Sequence, residues 1–221
     1  MHNWHVLKNF DEASFAAAQF IVSQILKCLQ NKSICHIALP GGNTPAKCLS
    51  LLAKENLPWE QIHWYLGDER CLPLGESDRN DVMLDNNLWS LLPVANVHTM
   101  QAELGPDVAA NLYRETISDI EYFDIVFLGV GEDGHTASLF PGNLALNDKR
   151  SVVPVYHSPK APDERVSLSI STLERAEIKL VLACGEAKRE IIDKIKLGES
   201  LPVNRIGSID WFVDALAVKE F

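Results

Sequence analysis

The stretch Phe123 to Gly142, FDIVFLGVGEDGHTASLFPG, gathers an acid (Asp133), an imidazole (His135) and a hydroxyl (Thr136) between glycines. Imidazole is the side chain whose ordinary pKa suits proton transfer near neutrality. Asp133, two residues before it, either fixes the tautomer of His135 or only caps a turn. The pattern therefore admits general acid–base chemistry on one reading and an ordinary strand-to-helix turn on the other. The apolar run Ile125 to Val130 breaks at Gly129-x-Gly131. That is the profile of a buried parallel strand emptying into a polar loop at its carboxyl end, where open α/β sheets bind ligands. The other histidines (His2, His5, His36, His63, His98, His157) have no comparable setting.

Three further segments carry groups that can bind or activate an anion. In Leu39-Pro40-Gly41-Gly42-Asn43-Thr44-Pro45 an apolar strand runs into a glycine pair and then a helix start. Bare backbone N–H groups and the positive end of a helix suit a phosphate or another oxyanion. A tight turn that binds nothing is the alternative, since neither the P-loop nor the G-x-G-x-x-G pattern is present. Tyr65-Leu66-Gly67-Asp68-Glu69-Arg70 also follows a strand, and its three charges are either solvated or functional. Arg70 offers a planar fork for phosphate or carboxylate, and Asp68 can orient it or a catalytic group. In Ser158 to Ser167, SPKAPDERVS, two prolines hold a loop extended between Lys160 and Arg165. Those cations either complete a phosphate pocket or lie idle on the surface.

Alternating elements must position these segments. Helical apolar spacing spans Asp11 to Leu29 (Phe15, Ala18, Ile21, Val22, Ile25, Leu26, Leu29). A helix from Thr44-Pro45 to about Lys54 has Thr44 or Asn43 as N-cap and Pro45 at its first position. Asp81 to Leu91, Val108 to Ile120 and Ala187 to Lys196 complete the helices. Strands are expected at Ile34–Leu39, His63–Leu66, Ile125–Val130, Val152–Val155, Val166–Ser169, Lys179–Ala183 and Ile209–Val213. The expected fold is α/β: a single-domain, mostly parallel, Rossmann-like sheet over residues 1–221 with helices on both faces.

Composition agrees with this and excludes several functions. Apolar content of 47% and charged content of 23% are those of a globular chain with one substantial core. A formal charge of −10 argues against nucleic acid or an anionic membrane as partner, though local cations can still hold a small anion. Cys28, Cys35, Cys48, Cys71 and Cys184 include no C-x-x-C, and their surroundings suggest reduced, mainly buried thiols of a cytoplasmic protein. The first residues lack a signal-peptide profile, and no run reaches transmembrane length. No H-E-x-x-H, clustered His/Cys set or EF-hand spacing suggests a metal, and no G-x-S-x-G elbow suggests a serine hydrolase.

Taken in order, these segments resemble the 6-phosphogluconolactonase family, within the wider group that contains the glucosamine-6-phosphate deaminases. The resemblance rests on Gly41-Gly42-Asn43-Thr44-Pro45, Gly67-Asp68-Glu69-Arg70, Gly129 to Gly142 and Lys160 to Ser167, with DGHTASLFPG the most specific string. Five positions depart from the family pattern. Pro40 stands for a serine, Asn43 for Ser or Thr, Arg79 for the serine before Asn80, and Ser167 and Ser169 for threonines. Arg79 is expected to add a cation at the mouth of the site.

The resemblance implies hydrolysis of 6-phospho-D-glucono-1,5-lactone to 6-phospho-D-gluconate, the second step of the oxidative pentose phosphate pathway. It implies His135 as general base on water and Asp133 as its orienter. Arg70 and backbone amides near Gly41-Gly42 or Gly131 become candidates for oxyanion stabilisation. Lys160 and Arg165, with Asn43 and Thr44, become the 6-phosphate holders, and Asp68 a further substrate contact. Neither cofactor nor metal is implied, and a monomer or weak dimer is expected. Two rivals remain. A deaminase-type isomerase would carry a glutamate where this chain has Phe140, which cannot transfer a proton. A non-catalytic sugar-phosphate sensor would not need an intact Asp133–His135 pair.

Overall fold

The computed structural model describes residues 2–218. Among the described residues, ten strands and six α-helices follow one another. The strands are β1 (Asn3–Leu7), β2 (Cys35–Leu39), β3 (Ile62–Leu66), β4 (Asp68–Arg70), β5 (Asn96–His98), β6 (Ile125–Leu128), β7 (Val152–Val155), β8 (Arg165–Leu168), β9 (Ile178–Ala183) and β10 (Asp210–Asp214). The helices are α1 (Phe10–Leu29), α2 (Thr44–Leu52), α3 (Asn80–Asn87), α4 (Pro106–Thr116), α5 (Ile170–Arg175) and α6 (Arg189–Lys196).

Seven strands form one parallel sheet in the order β1-β10-β9-β6-β2-β3-β5. Its centre is β6, whose Ile-Val-Phe-Leu is buried at every position, as a strand covered on both faces requires. Chain order reverses beside β2: β3 lies on one side of it and the later β6 on the other. The carboxyl ends of β2 and β6 thus frame a topological switch point, the crevice in which such sheets hold ligands.

A second sheet was not expected from the sequence. β4, β8 and β7 pair antiparallel, with Asp68 opposite Ser167 and Arg70 opposite Arg165. Gly67 joins the two sheets: its N–H donates to Leu39 O at 2.8 Å, and its carbonyl accepts from Leu168 N at 2.8 Å. Asp68-Glu69-Arg70 reads as a charged loop because a three-residue strand has no periodicity of its own, and only its partner reveals it. The edge strands β1 and β5 were unexpected for a related reason. Both are short and half exposed, so neither shows an apolar run. The short α5 was also unexpected; Ser169 caps it, accepting from Thr172 N.

Several expectations need correction. On α1 the buried face is Ala13, Ala17, Ala18, Ile21 and Ile25, while Phe15 and Leu26 point outward despite their spacing. Thr44, not Pro45, is the first residue of α2, and Asn43 precedes it without a side-chain capping bond. The stretch Asp81 to Leu91 is helical only to Asn87 and then tightens into a 3-10 turn, Trp89–Leu91. Only Cys35 and Cys48 are buried; Cys28, Cys71 and Cys184 are half-buried, and all five thiols are free.

Candidate active site

Residues following β2, β3 and β6, together with β8 and its preceding loop, enclose a cleft of about 220 Å³ at the switch point. Gly41, Gly42, Asn43, Thr44, Asp68, Arg70, His135, Lys160 and Arg165 all line it. Asp133 stands behind His135, accepting from its Nδ1 and, at 3.2 Å, from its backbone N–H. Every candidate from the sequence except Arg79 therefore belongs to one construction, although some serve it indirectly.

The loop after β6 is folded on itself. Gly131 N donates to His135 O at 2.9 Å, Gly134 N to Gly131 O at 3.0 Å, and Thr136 Oγ1 to Gly129 O at 3.0 Å. This brings the imidazole over Gly131, where a β-carbon would lie 2.0 Å from the ring, so only glycine fits. Ala137, which lines the cleft, is held at φ 47°, a left-handed conformation costing about 1–3 kcal/mol.

The imidazole is half-buried and packs on Phe140, ring centroids 4.5 Å apart. Burial pushes the His135 pKa below its ordinary value, against the opposing pull of Asp133 and, more weakly, Asp68; Lys160 pushes it down further. Burial would raise the Asp133 carboxyl, but the hydrogen bond and charge of His135 hold it below its usual range. Both directions describe a neutral imidazole donating from Nδ1 to an ionised carboxylate, which leaves the lone pair on Nε2.

The small sheet supplies the charges. Asp68 is buried and its Oδ2 accepts from Ser138 Oγ at 2.5 Å. Arg70 Nη1 donates to Asp78 O. Arg165 is buried and spends its guanidinium on the loop before it, donating to Pro162 O, Lys160 O and Ala161 O at 3.0 Å each. It positions the Lys160 loop as well as adding charge to the cleft, a division of labour that residue type alone does not reveal. Burial lowers its pKa, countered by Asp68. Glu69 looks away from the cleft. Its buried carboxylate accepts from Arg70 N, Asn80 N and Asp81 N at 2.7, 2.8 and 2.8 Å, which seats the N-terminus of α3. Burial nevertheless pushes that carboxyl up to about 7.

The structure adds Asn80, buried and lining the cleft, and Lys188, which donates to Val130 O at 2.9 Å. Lys188 sits just before α6, too far along the chain for any local pattern to tie it to the other segments. It removes Arg79, expected at the mouth. That side chain is buried outside the cleft, bonded to Asp81 at 2.6 Å, to Glu103 at 3.3 Å and to Leu72 O at 2.7 Å. Among the described residues, Cys28, Cys35 and Asp124 bring potential ligand atoms within 4.8 Å of one another. This cluster is at the amino ends of β2 and β6, remote from the cleft, and Lys32 already lies 2.5 Å from Asp124 Oδ1. No group near the cleft has that character among the described residues.

The family model described as glucosamine-6-phosphate isomerases/6-phosphogluconolactonase matches residues 8–211. A 6-phosphogluconolactonase of Haemophilus influenzae is 30% identical over 93% of this chain and 97% of its own. The GDH/6PGL endoplasmic bifunctional protein of Homo sapiens is 34% identical over 81% of this chain, and the match spans only 25% of that longer relative. The crystal structure of a 6-phosphogluconolactonase from Thermotoga maritima shares the fold at a TM-score of 0.90. Its identity is 28%, over 97% of this chain and 100% of that one.

Proposed function

Since the chain belongs to the glucosamine-6-phosphate isomerase/6-phosphogluconolactonase family, we propose that it hydrolyses 6-phospho-D-glucono-1,5-lactone to 6-phospho-D-gluconate, with His135 as general base. The observation that carries this reading is the Asp133-anchored imidazole at the cleft, with Phe140 against its ring. Lactone hydrolysis needs one group that takes a proton from water and returns it to the ring oxygen, and His135 Nε2 suffices. The deaminase reaction moves a proton between carbons and needs a further acid–base group where Phe140 stands.

In this reading water attacks the lactone carbonyl as its proton passes to His135 Nε2. Arg70 and the amides of Gly41-Gly42 or Gly131 meet the developing oxyanion. The imidazolium then protonates the departing ring oxygen, and the ring opens to the acid. Lys160 and Lys188, with the charge of Arg165 and the N-terminus of α2 at Thr44, hold the 6-phosphate. Asp68 orients the sugar. The reading takes residues 1–221 as one domain acting in the cytoplasm, without cofactor or metal, as a monomer or weak dimer. Among the described residues no helix is long and apolar enough to cross a membrane.

The test is proton release from 6-phosphogluconolactone generated in situ, with the spontaneous rate subtracted. We expect a large excess over background that survives a chelator and drops about 10²–10⁴-fold in His135→Ala. A wild type that adds nothing to background refutes the reading, and turnover of glucosamine 6-phosphate would install the rival.

A further inference from the structure

Cys28, Cys35 and Asp124 meet from three elements: the last turn of α1, the first residue of β2, and the residue just before β6. One ligand atom from each lies within 4.8 Å of the other two. The carboxylate is held in place. Asp124 Oδ2 accepts from His36 N at 2.8 Å. Its backbone N–H donates to His36 O and its carbonyl accepts from Ile178 N, both at 3.0 Å. Hydrogen bonds of this kind orient a metal-binding carboxylate. Oδ1 already carries a cation, Lys32 Nζ at 2.5 Å, which also rests 4.1 Å from the Tyr122 ring centroid. A cleft of about 200 Å³, lined by Cys28, Lys32, Tyr122, Asp124 and Glu177, opens the cluster to solvent, while Cys35 is buried.

The donor set selects the ion. Thiolate sulfurs with one carboxylate suit Zn²⁺, whereas Mg²⁺ and Ca²⁺ take oxygen ligands. Around a tetrahedral Zn²⁺ the ligand atoms stand about 3.5–3.8 Å apart, so closing this cluster asks for shifts of about 1 Å or less. The thiols are protonated as they stand: burial and the charge of Asp124 push Cys28 up to about 11, and burial, Cys28 and Asp124 push Cys35 up as well. A divalent cation reverses that balance by favouring both thiolates. Lys32 is the one group in its way, and its side chain is 36% exposed, so it can swing into solvent.

We infer that Cys28, Cys35 and Asp124 form a zinc site, the ion replacing the Lys32 ammonium on Asp124 and clasping α1, β2 and β6 together. Binding takes up Zn²⁺, releases one proton from each thiol and frees the lysine, with water as the fourth ligand. The lactonase chemistry does not use this ion, because the catalytic cleft lies at the opposite ends of β2 and β6; each reading can fail without the other. The test titrates the full chain, reduced and freed of metal, with Co²⁺ and then Zn²⁺. Co²⁺ should bring a thiolate-to-metal charge-transfer absorption that Zn²⁺ bleaches, absent in Cys28→Ser and in Cys35→Ser. Zn²⁺ should raise the thermal midpoint of wild type and not of those variants. Lys32→Ala should bind Zn²⁺ several-fold more tightly, the worth of a half-exposed ion pair. No charge-transfer absorption in wild type overturns the inference, as does one that survives in either cysteine variant. Co²⁺ bound without that absorption, on His63 and His98 for example, overturns it too. Equal affinity in Lys32→Ala overturns the replacement of Lys32. If the variants do not fold, alkylation of Cys28 in wild type decides. Zn²⁺ should slow it about tenfold or more, since alkylation needs a free thiolate, and an unchanged rate overturns the inference.

Discussion

Three neighbours set the proton traffic at His135: Asp133 on Nδ1, Phe140 against the ring face, and the cation of Lys160 across the cleft. A base works in its neutral form, and burial holds this imidazole's pKa below the ordinary 6.5. On the lactonase reading, the acid limb of the kcat/KM profile should therefore fall below pH 6.5, leaving more activity in mild acid than an exposed histidine would allow. Asp133→Asn removes the group that opposes this lowering and that fixes the tautomer. The limb should then move lower still while the plateau drops. A limb that moves upward instead would show that Asp133 is not acting on His135 in this way. The pH–rate profile of both proteins decides the point.

At the scale of elements, the site depends on how α3 and the small sheet are tied together. Glu69 caps the first turn of α3 with both carboxylate oxygens. In Glu69→Gln one oxygen becomes an NH₂ facing backbone N–H groups, so a bond is lost and two donors meet. The expected cost is about 1–3 kcal/mol in urea denaturation, with Asn80 displaced as a consequence. A second device lies across β2, β3 and β5. His63 Nδ1 and His98 Nε2 are 3.0 Å apart, His36 neighbours His63, and Tyr65 stacks on His98. Burial lowers the pKa of all three imidazoles, and their mutual repulsion adds to this for His36 and His98; Asp124 opposes it and Lys32 reinforces it at His36. The unfolded chain therefore binds protons at higher pH than the folded one, and stability is lost as pH falls below 6.5. His63→Asn should flatten that loss, seen as a smaller difference between urea midpoints measured above and below pH 6.5. An unchanged difference would assign the acid sensitivity elsewhere.

Over the whole molecule, a chain of charge −10 concentrates Arg70, Lys160, Arg165 and Lys188 around one cleft. These cations attract an anion despite the overall negative charge, and salt screens the longer-range part of that attraction. Inorganic phosphate should raise the thermal midpoint, and added salt should shrink that rise. Lys160→Ala should shrink it too, and should raise KM for the phosphorylated lactone with kcat near wild type. A Lys160→Ala loss confined to kcat would move that lysine from the phosphate to the reacting carbonyl.

The α/β class, the central strand ending in the DGH loop and the candidates His135, Asp133, Asp68 and Arg70 were legible in the sequence. The reason is that each is a local event: a buried parallel strand must be continuously apolar, and a functional loop must break it with glycine. Even the family resemblance was carried by short contiguous strings. What adds up across distant segments was not legible. Asp68-Glu69-Arg70 is a strand only because β8 lies beside it, and that pairing divides the labour, Glu69 to the fold and Asp68 to the cleft. Arg79 and Arg165 look alike as residues. One is buried in ion pairs outside the site and the other props the Lys160 loop within it. Lys188 and Asn80 reach the cleft through the order of strands, and Cys28, Cys35 and Asp124 converge through the packing of α1 on the sheet. Such roles are settled by which polar atoms find partners once the chain is packed, and that accounting exists only in three dimensions.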